Sequence, residues 1–176
     1  MLELGQPLHA FDLDDIKYNK MTVKMAEEGE KFTTLDGVER TLTSDMLVIG
    51  NQDKTLDLAG IMGGENSEIK DTTTSIFIEG ASFAKENIRA TSKKLGLRTE
   101  ASSRFEKGID INLAEEAVNR ACQLIEELGC GTVLNGMLDY YPQKEEVQKV
   151  TVNPVRINKL LGVNVPMDQF INILES

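Results

Sequence analysis

At 176 residues, 40% of them hydrophobic and with a formal net charge of −10, the chain has the length for one domain with a proper core plus part of a second. Its acidity excludes a protein that wraps duplex nucleic acid over its whole surface, because such affinity comes from neutralising phosphates with Lys and Arg. No run approaches the roughly 18 apolar residues of a membrane span, and the start "MLELGQPLHAF" lacks the layout of a signal peptide, so a soluble, cytoplasmic protein is expected.

In chain order, "GQPLHAFDLDD" comes first and holds the only histidine, His9, beside Asp12, Asp14 and Asp15. Following Gly5 and Pro7, His9 is expected on a turn. It is either a general acid–base group, since its ordinary pKa lies near neutrality, or a structural histidine bonded to a nearby aspartate. The aspartates suit caps of a short helix.

"TVKMA" and "KFTTLDGVERTL" read as strands, the second folded at Asp36-Gly37, a dipeptide favoured where a hairpin needs positive φ. "DMLVIGN" and "SIFIEGASF" read as short strands bounded by turn formers. Glu79 interrupts the apolar run of the second, on the same period-two face as Phe77 and Ala81. Such a carboxylate either points to water from an edge strand or serves as a specificity acceptor in an apolar cavity. Between these strands, "LDLAGIMGGENSEI" reads as a glycine-marked loop. It is no phosphate loop, because Gly64 is followed by Glu65 where GxxxxGK[ST] needs Lys.

"AKENIRATSKKLG" predicts a helix with Ile88 and Leu95 on one face and a stop at Gly96. "LGLRTEASSRFEKG" has no period of its own and reads as a surface loop or the wall of a site. Ser102 and Ser103 lie there without a GxSxG elbow, which argues against a serine triad with His9. From Lys85 to Lys107 seven basic residues face three acidic ones, either a local phosphate contact or a solvated helix face.

"INLAEEAVNRACQLIEELG" is the strongest predicted helix, with Leu113, Ala117, Ala121, Leu124 and Leu128 in three-four spacing, and is expected to be a core helix on the sheet. Cys122 and Cys130 lack the partners of a zinc site and read as reduced thiols. "GTVLNGMLDYYP" reads as a strand and "PQKEEVQKV" as a polar linker. From "VTVNPVRINKLLG" the pattern changes to a strand-like start and two short helices, around Arg156 to Leu161 and from Met167, so a domain boundary is expected near Lys149.

Taken in order, "LGQPLHAFDLD", "TLDGVERTL", "LAGIMGGENSEI", "IFIEGASF" and "LGLRTEASSRFEKGID" closely resemble the bacterial phenylalanyl-tRNA synthetase beta subunit over about Leu2 to Gly136. The resemblance implies an α+β fold, with mixed or antiparallel sheets packed with a few helices, and an editing domain at 1–149 followed at 150–176 by the start of a small helical, winged-helix-like domain. It also implies that the family's module begins upstream of "LELGQPLHAF", so that this chain is truncated at its N-terminus, lacks a pocket asparagine and exposes a sheet edge able to pair with a second copy.

The activity implied is hydrolysis of tyrosine wrongly esterified to phenylalanine tRNA. A pocket shaped for phenylalanine rejects one added hydroxyl by only about 100-fold, whereas a site that bonds the hydroxyl discriminates by about 10,000-fold or more. By the same resemblance, His9 lines the scissile ester, Glu79 accepts the tyrosyl hydroxyl, Thr99 and Ala101 are pocket residues, and Gly60 and Gly63 form the glycine loop along the pocket. Water is the nucleophile, no metal is needed in this segment, and ATP and magnesium belong to the whole ligase. The partners implied are tRNA(Phe) and the alpha subunit, in a heterotetramer of two alpha and two beta chains, with no membrane. The competing reading is a non-catalytic module that holds tRNA or scaffolds the subunits.

Overall fold

The computed structural model describes residues 1–142, 144 and 149–175. The chain forms two compact units, Met1–Leu134 and Asn135–Ser176. The first is α+β, and every strand pair described in it is antiparallel.

Among the described residues β1 (Leu8–Asp12) pairs only with β8 (Ile76–Gly80). His9 therefore lies within a strand and not on a turn. The turn chemistry of Gly5 and Pro7 is spent just before it, and "LHAFD" alternates as a strand does. The aspartates end the strand: Asp12 Oδ1 accepts from the Asp14 amide at 3.0 Å and Oδ2 from the Thr73 hydroxyl at 2.6 Å, and Asp15 pairs with Lys54 at 3.3 Å. Asp12 thus caps the turn after β1 and Asp15 ties it to Lys54.

A second sheet runs in the order β2 (Thr22–Met25), β5 (Leu47–Gly50), β6 (Thr55–Leu58), β7 (Met62–Gly63). The expected loop "LDLAGIMGGENSEI" is thus mostly a hairpin, β6 and β7 joined through Gly60 at φ +67°. Apolar side chains explain the difference: Leu56 and Leu58 are fully buried, each burial stabilising by about 1.5–3 kcal/mol. The third sheet is the hairpin of β3 (Lys31–Thr33) and β4 (Glu39–Thr41). Gly37 adopts φ +73° in its turn, and Asp36 locks it by accepting from the Thr34 hydroxyl at 2.6 Å and the Arg40 guanidinium at 2.6 Å.

Three helices follow. α1 (Lys85–Leu95) buries Ile88 and stops at a left-handed Gly96. The segment expected to lack a period contains α2 (Glu100–Phe105), because Thr99 and Ser102 form a reciprocal capping box that starts a helix too short to show periodicity. α3 (Leu113–Glu127) lies against β8, where a Cβ on Gly80 would come within 2.6 Å of Val118 Cγ2. Ala117 is buried and Ala114, Val118, Ala121 and Leu124 are half-buried, so the helix packs on the sheet as expected, but by a partly covered face outside the two buried core clusters. Phe32, Leu42, Val48, Leu58, Ile88 and Phe105 form the main core, and Phe11, Ile49 and Leu56 a second cluster.

Residues 131–142, expected as a strand, form none: Leu138 is 96% and Tyr140 90% exposed, with no ladder to satisfy the backbone. The strand-like start at Val150 is likewise irregular. Gln143 and residues 145–148 of the expected linker lie outside the described residues. The second unit holds α4 (Pro154–Leu161), capped by the Asn153 side chain and stopped at left-handed Gly162, and α5 (Met167–Glu175). No described helix is long and apolar enough to cross a membrane.

Candidate functional site

β1 and β8 meet in the register Leu8↔Gly80, His9↔Glu79, Phe11↔Phe77. Directly opposed residues of an antiparallel pair project to the same face, so this ladder sets the imidazole and the carboxyl side by side. The His9 ring packs edge-on against Phe11, with centroids 4.4 Å apart and planes at 75°. Burial lowers the His9 pKa, which leaves the imidazole neutral at neutral pH.

Both side chains line one open cleft with about 370 Å³ of empty space, mouth included. Pro7 and Leu8 border it beside His9, the β6–β7 turn contributes Gly60, Ile61, Met62 and Gly63, and Ala81, Phe83, Ala101 and Phe105 supply apolar wall. Phe83 and Phe105 stack edge-to-face at 5.0 Å. Gly63 permits the close fit: a Cβ there would stand 2.4 Å from His9 Cε1 and 2.8 Å from Nε2. At Gly60 a Cβ would come within 2.7 Å of Phe83 Cδ2.

Glu79 Oε2 is buried and has no hydrogen-bond partner among the described residues. Burial, and then repulsion from Asp57, pushes the Glu79 carboxyl up to about 8. Asp57, 4% exposed, lines the same cleft, and burial pushes its carboxyl up to about 7. Sequence reasoning missed Asp57, although the signal that raised Glu79, a charge inside an apolar run, is present in "TLDLAG". It was hidden by reading that run as a loop.

A family model described as B3/4 domain matches residues 1–130. The chain belongs to the B3/4 domain family. It is also similar along nearly all its length to proteins named phenylalanine–tRNA ligase beta subunit: 49% identical over 175 residues to that of Clostridium acetobutylicum, covering 99% of this chain and 22% of the relative. Against the Clostridium tetani protein identity is 49% over 178 residues, with 99% and 22% coverage. Against that of Carboxydothermus hydrogenoformans it is 47% over 176 residues, with 100% and 22% coverage. The chain thus spans about a fifth of the length of these relatives.

Within this B3/4 domain the expected site residues separate into two groups. His9, Glu79, Gly60, Gly63 and Ala101 line the one cleft. Thr99 stands behind its wall: its hydroxyl donates to the Ile61 carbonyl at 2.8 Å and accepts from the Ser102 amide at 3.0 Å, tying the start of α2 to the β6–β7 turn. Ser102 is fully buried in that cap and Ser103 accepts from Arg98 at 3.1 Å, so both hydroxyls are engaged in local structure.

The basic window of the B3/4 domain is partly neutralised. Lys94 pairs with Asp45 at 3.0 Å, Arg98 with Glu106 at 3.5 Å, and Arg104 with Glu100. Arg89 and Lys93 are exposed on α1. Cys122 and Cys130 are free thiols. Among the described residues no group of three or more His, Cys, Asp or Glu is arranged to hold a metal ion.

Proposed function

We propose that this B3/4 domain is the editing site of a phenylalanine–tRNA ligase beta subunit and hydrolyses tyrosine mis-esterified to tRNA(Phe). The observation that carries this reading is Glu79 Oε2, buried without a partner in an apolar cleft beside a neutral histidine. An unpaired buried acceptor destabilises a fold unless a ligand group meets it, and the hydroxyl that distinguishes tyrosine from phenylalanine is such a group.

On this reading the aromatic side chain of the ester enters between Phe83, Ala101 and Phe105 with its hydroxyl toward Glu79. A water molecule attacks the ester carbonyl, and the neutral His9 imidazole takes its proton, directly or through a second water. The Gly60 N–H stabilises the oxyanion, since its neighbours in the β6–β7 turn, Ala59 and Ile61, already donate to the Leu47 and Leu58 carbonyls. The carbonyl–oxygen bond to the ribose then breaks, the proton passes to the ribose oxygen, and free tyrosine and tRNA leave. Exposed Arg89 and Lys93 guide the acceptor end of the tRNA. The whole protein on this reading is a cytoplasmic ligase of two alpha and two beta subunits that uses ATP and magnesium at sites outside this segment.

The test is deacylation of Tyr-tRNA(Phe) by the whole ligase. His9→Ala and Glu79→Ala are each expected to slow it at least about 100-fold. Rates unchanged in both variants overturn the editing reading and favour a module that only holds tRNA or the alpha subunit.

A further inference from the structure

Asp57 has no task in the reaction just described, yet it is the most deeply buried acid of the cleft. On β6 it stands opposite Gly63 on one side and Ile49 on the other. Opposed residues share a face, so its carboxyl projects to the side on which the missing Gly63 Cβ faces His9. Neither neighbour has a side-chain donor. No hydrogen bond to the carboxylate is found among the described residues, and burial dominates its environment. Glu79 lines the same cleft, and repulsion from Asp57 adds to the burial that pushes the Glu79 carboxyl up.

We propose that Asp57 and Glu79 act as one recognition unit, a carboxyl pair sharing a single proton, which reads the ligand's phenolic hydroxyl as donor and acceptor at once. This rests on the reading of the cleft as a tyrosyl-ester site and names a second specificity-determining residue for it.

The chemistry follows from the inventory of a hydroxyl, one donor and two lone pairs. A fully ionised pair offers acceptors alone and sets two like charges in an apolar pocket. With one proton the pair offers both halves: the carboxylate accepts the phenolic hydrogen, and the carboxylic acid donates to the phenolic oxygen. A phenyl ring meets neither half and leaves both acids unpaired, which widens discrimination beyond what one acceptor supplies. Burial of both groups and their mutual repulsion hold the proton in place near neutral pH. His9 from β1 is the one other titratable group lining the cleft, and its burial keeps it neutral. β7 and α2 contribute Met62, Gly63, Ala101 and Phe105, none of which titrates.

Two measurements test the pair. Carboxyl titration of the intact chain by ¹³C NMR, without ligand, is expected to show both acids protonating well above the ordinary 3.8 and 4.5, and Asp57→Asn is expected to lower the Glu79 midpoint. A Glu79 midpoint that ignores Asp57→Asn overturns the shared proton; should that variant not fold, two ordinary midpoints in the wild-type chain overturn it equally. In the whole ligase, Asp57→Asn is expected to reduce the preference for Tyr-tRNA(Phe) over Phe-tRNA(Phe) by about 10-fold or more. An unchanged preference, with wild type cleaving Tyr-tRNA(Phe) normally, overturns the role of Asp57 and leaves the editing reading standing. A wild type that cleaves neither ester overturns both.

Discussion

His9 and Glu79 face one another across the β1–β8 ladder, yet no ion pair between them is found among the described residues. Burial lowers the pKa of the imidazole and raises that of the carboxyl, so both groups favour their neutral forms where a surface pair would be charged. A neutral base beside a proton-holding acid is a pairing suited to ester hydrolysis with hydroxyl recognition, and each half has a measurable consequence.

For His9 the consequence is a pH profile. A general base works only when neutral, and burial sets its pKa below 6.5. Deacylation is therefore expected to fall on the acid side as pH drops through a midpoint below that value, with this acid limb absent in His9→Ala. A flat profile in wild type shows that His9 acts by shape alone.

At Gly63 the expected substitution effect falls on activity more than on stability. Gly63→Ala puts a Cβ 2.4 Å from His9 Cε1, and the imidazole, as the end of a side chain, swings aside. Deacylation should drop by about 10-fold or more because the base leaves its position, while denaturant unfolding shifts by about 1 kcal/mol, the low end for overpacking, because the clashing atoms are side-chain ends. Wild-type rates from this variant contradict the close fit.

Thr99 is expected to behave as a fold residue first. Thr99→Ala removes the α2 cap and the tether to Ile61, which should lower stability by about 1 kcal/mol or somewhat more in urea unfolding. Thr99→Ser keeps the hydroxyl and should restore most of it. A pocket role independent of the cap predicts the reverse, activity lost at full stability.

The buried acids make stability depend on pH. Between their ordinary values of 3.8 and 4.5 and their folded values of about 7 and about 8, the folded chain holds protons that the unfolded chain has released. Their contribution to stability is thus full below that window and is lost as pH rises through it, with a slope approaching ~1.4 kcal/mol per pH unit for each group. Glu79→Gln should flatten the decline and melt higher than wild type at about pH 8, with a smaller gain at about pH 5. Parallel melting curves for the two proteins across that range contradict the burial.

Much of this was legible in the sequence where local chemistry decides the outcome. Asp36-Gly37 marks its hairpin, and Gly96 and Gly162 end their helices. Glu79 was conspicuous because a charge within "SIFIEGASF" needs a reason. What escaped depends on partners far along the chain. His9 looked like a turn residue because its ladder partner lies 70 positions away. Asp57 vanished into a supposed loop because β6 is defined by its neighbours β5 and β7 and not by alternation, all four of its residues being buried. The sequence 131–142 failed in the opposite sense, with β-forming residues but no edge to pair with.

The account turns on Glu79 as the group that tells tyrosine from phenylalanine. The most direct measurement is the ratio of deacylation rates on Tyr-tRNA(Phe) and Phe-tRNA(Phe) for the whole ligase, wild type against Glu79→Ala. A strong preference for the tyrosyl ester in wild type that collapses toward equal rates in the variant is the predicted result. A preference that survives the loss of Glu79 contradicts the account.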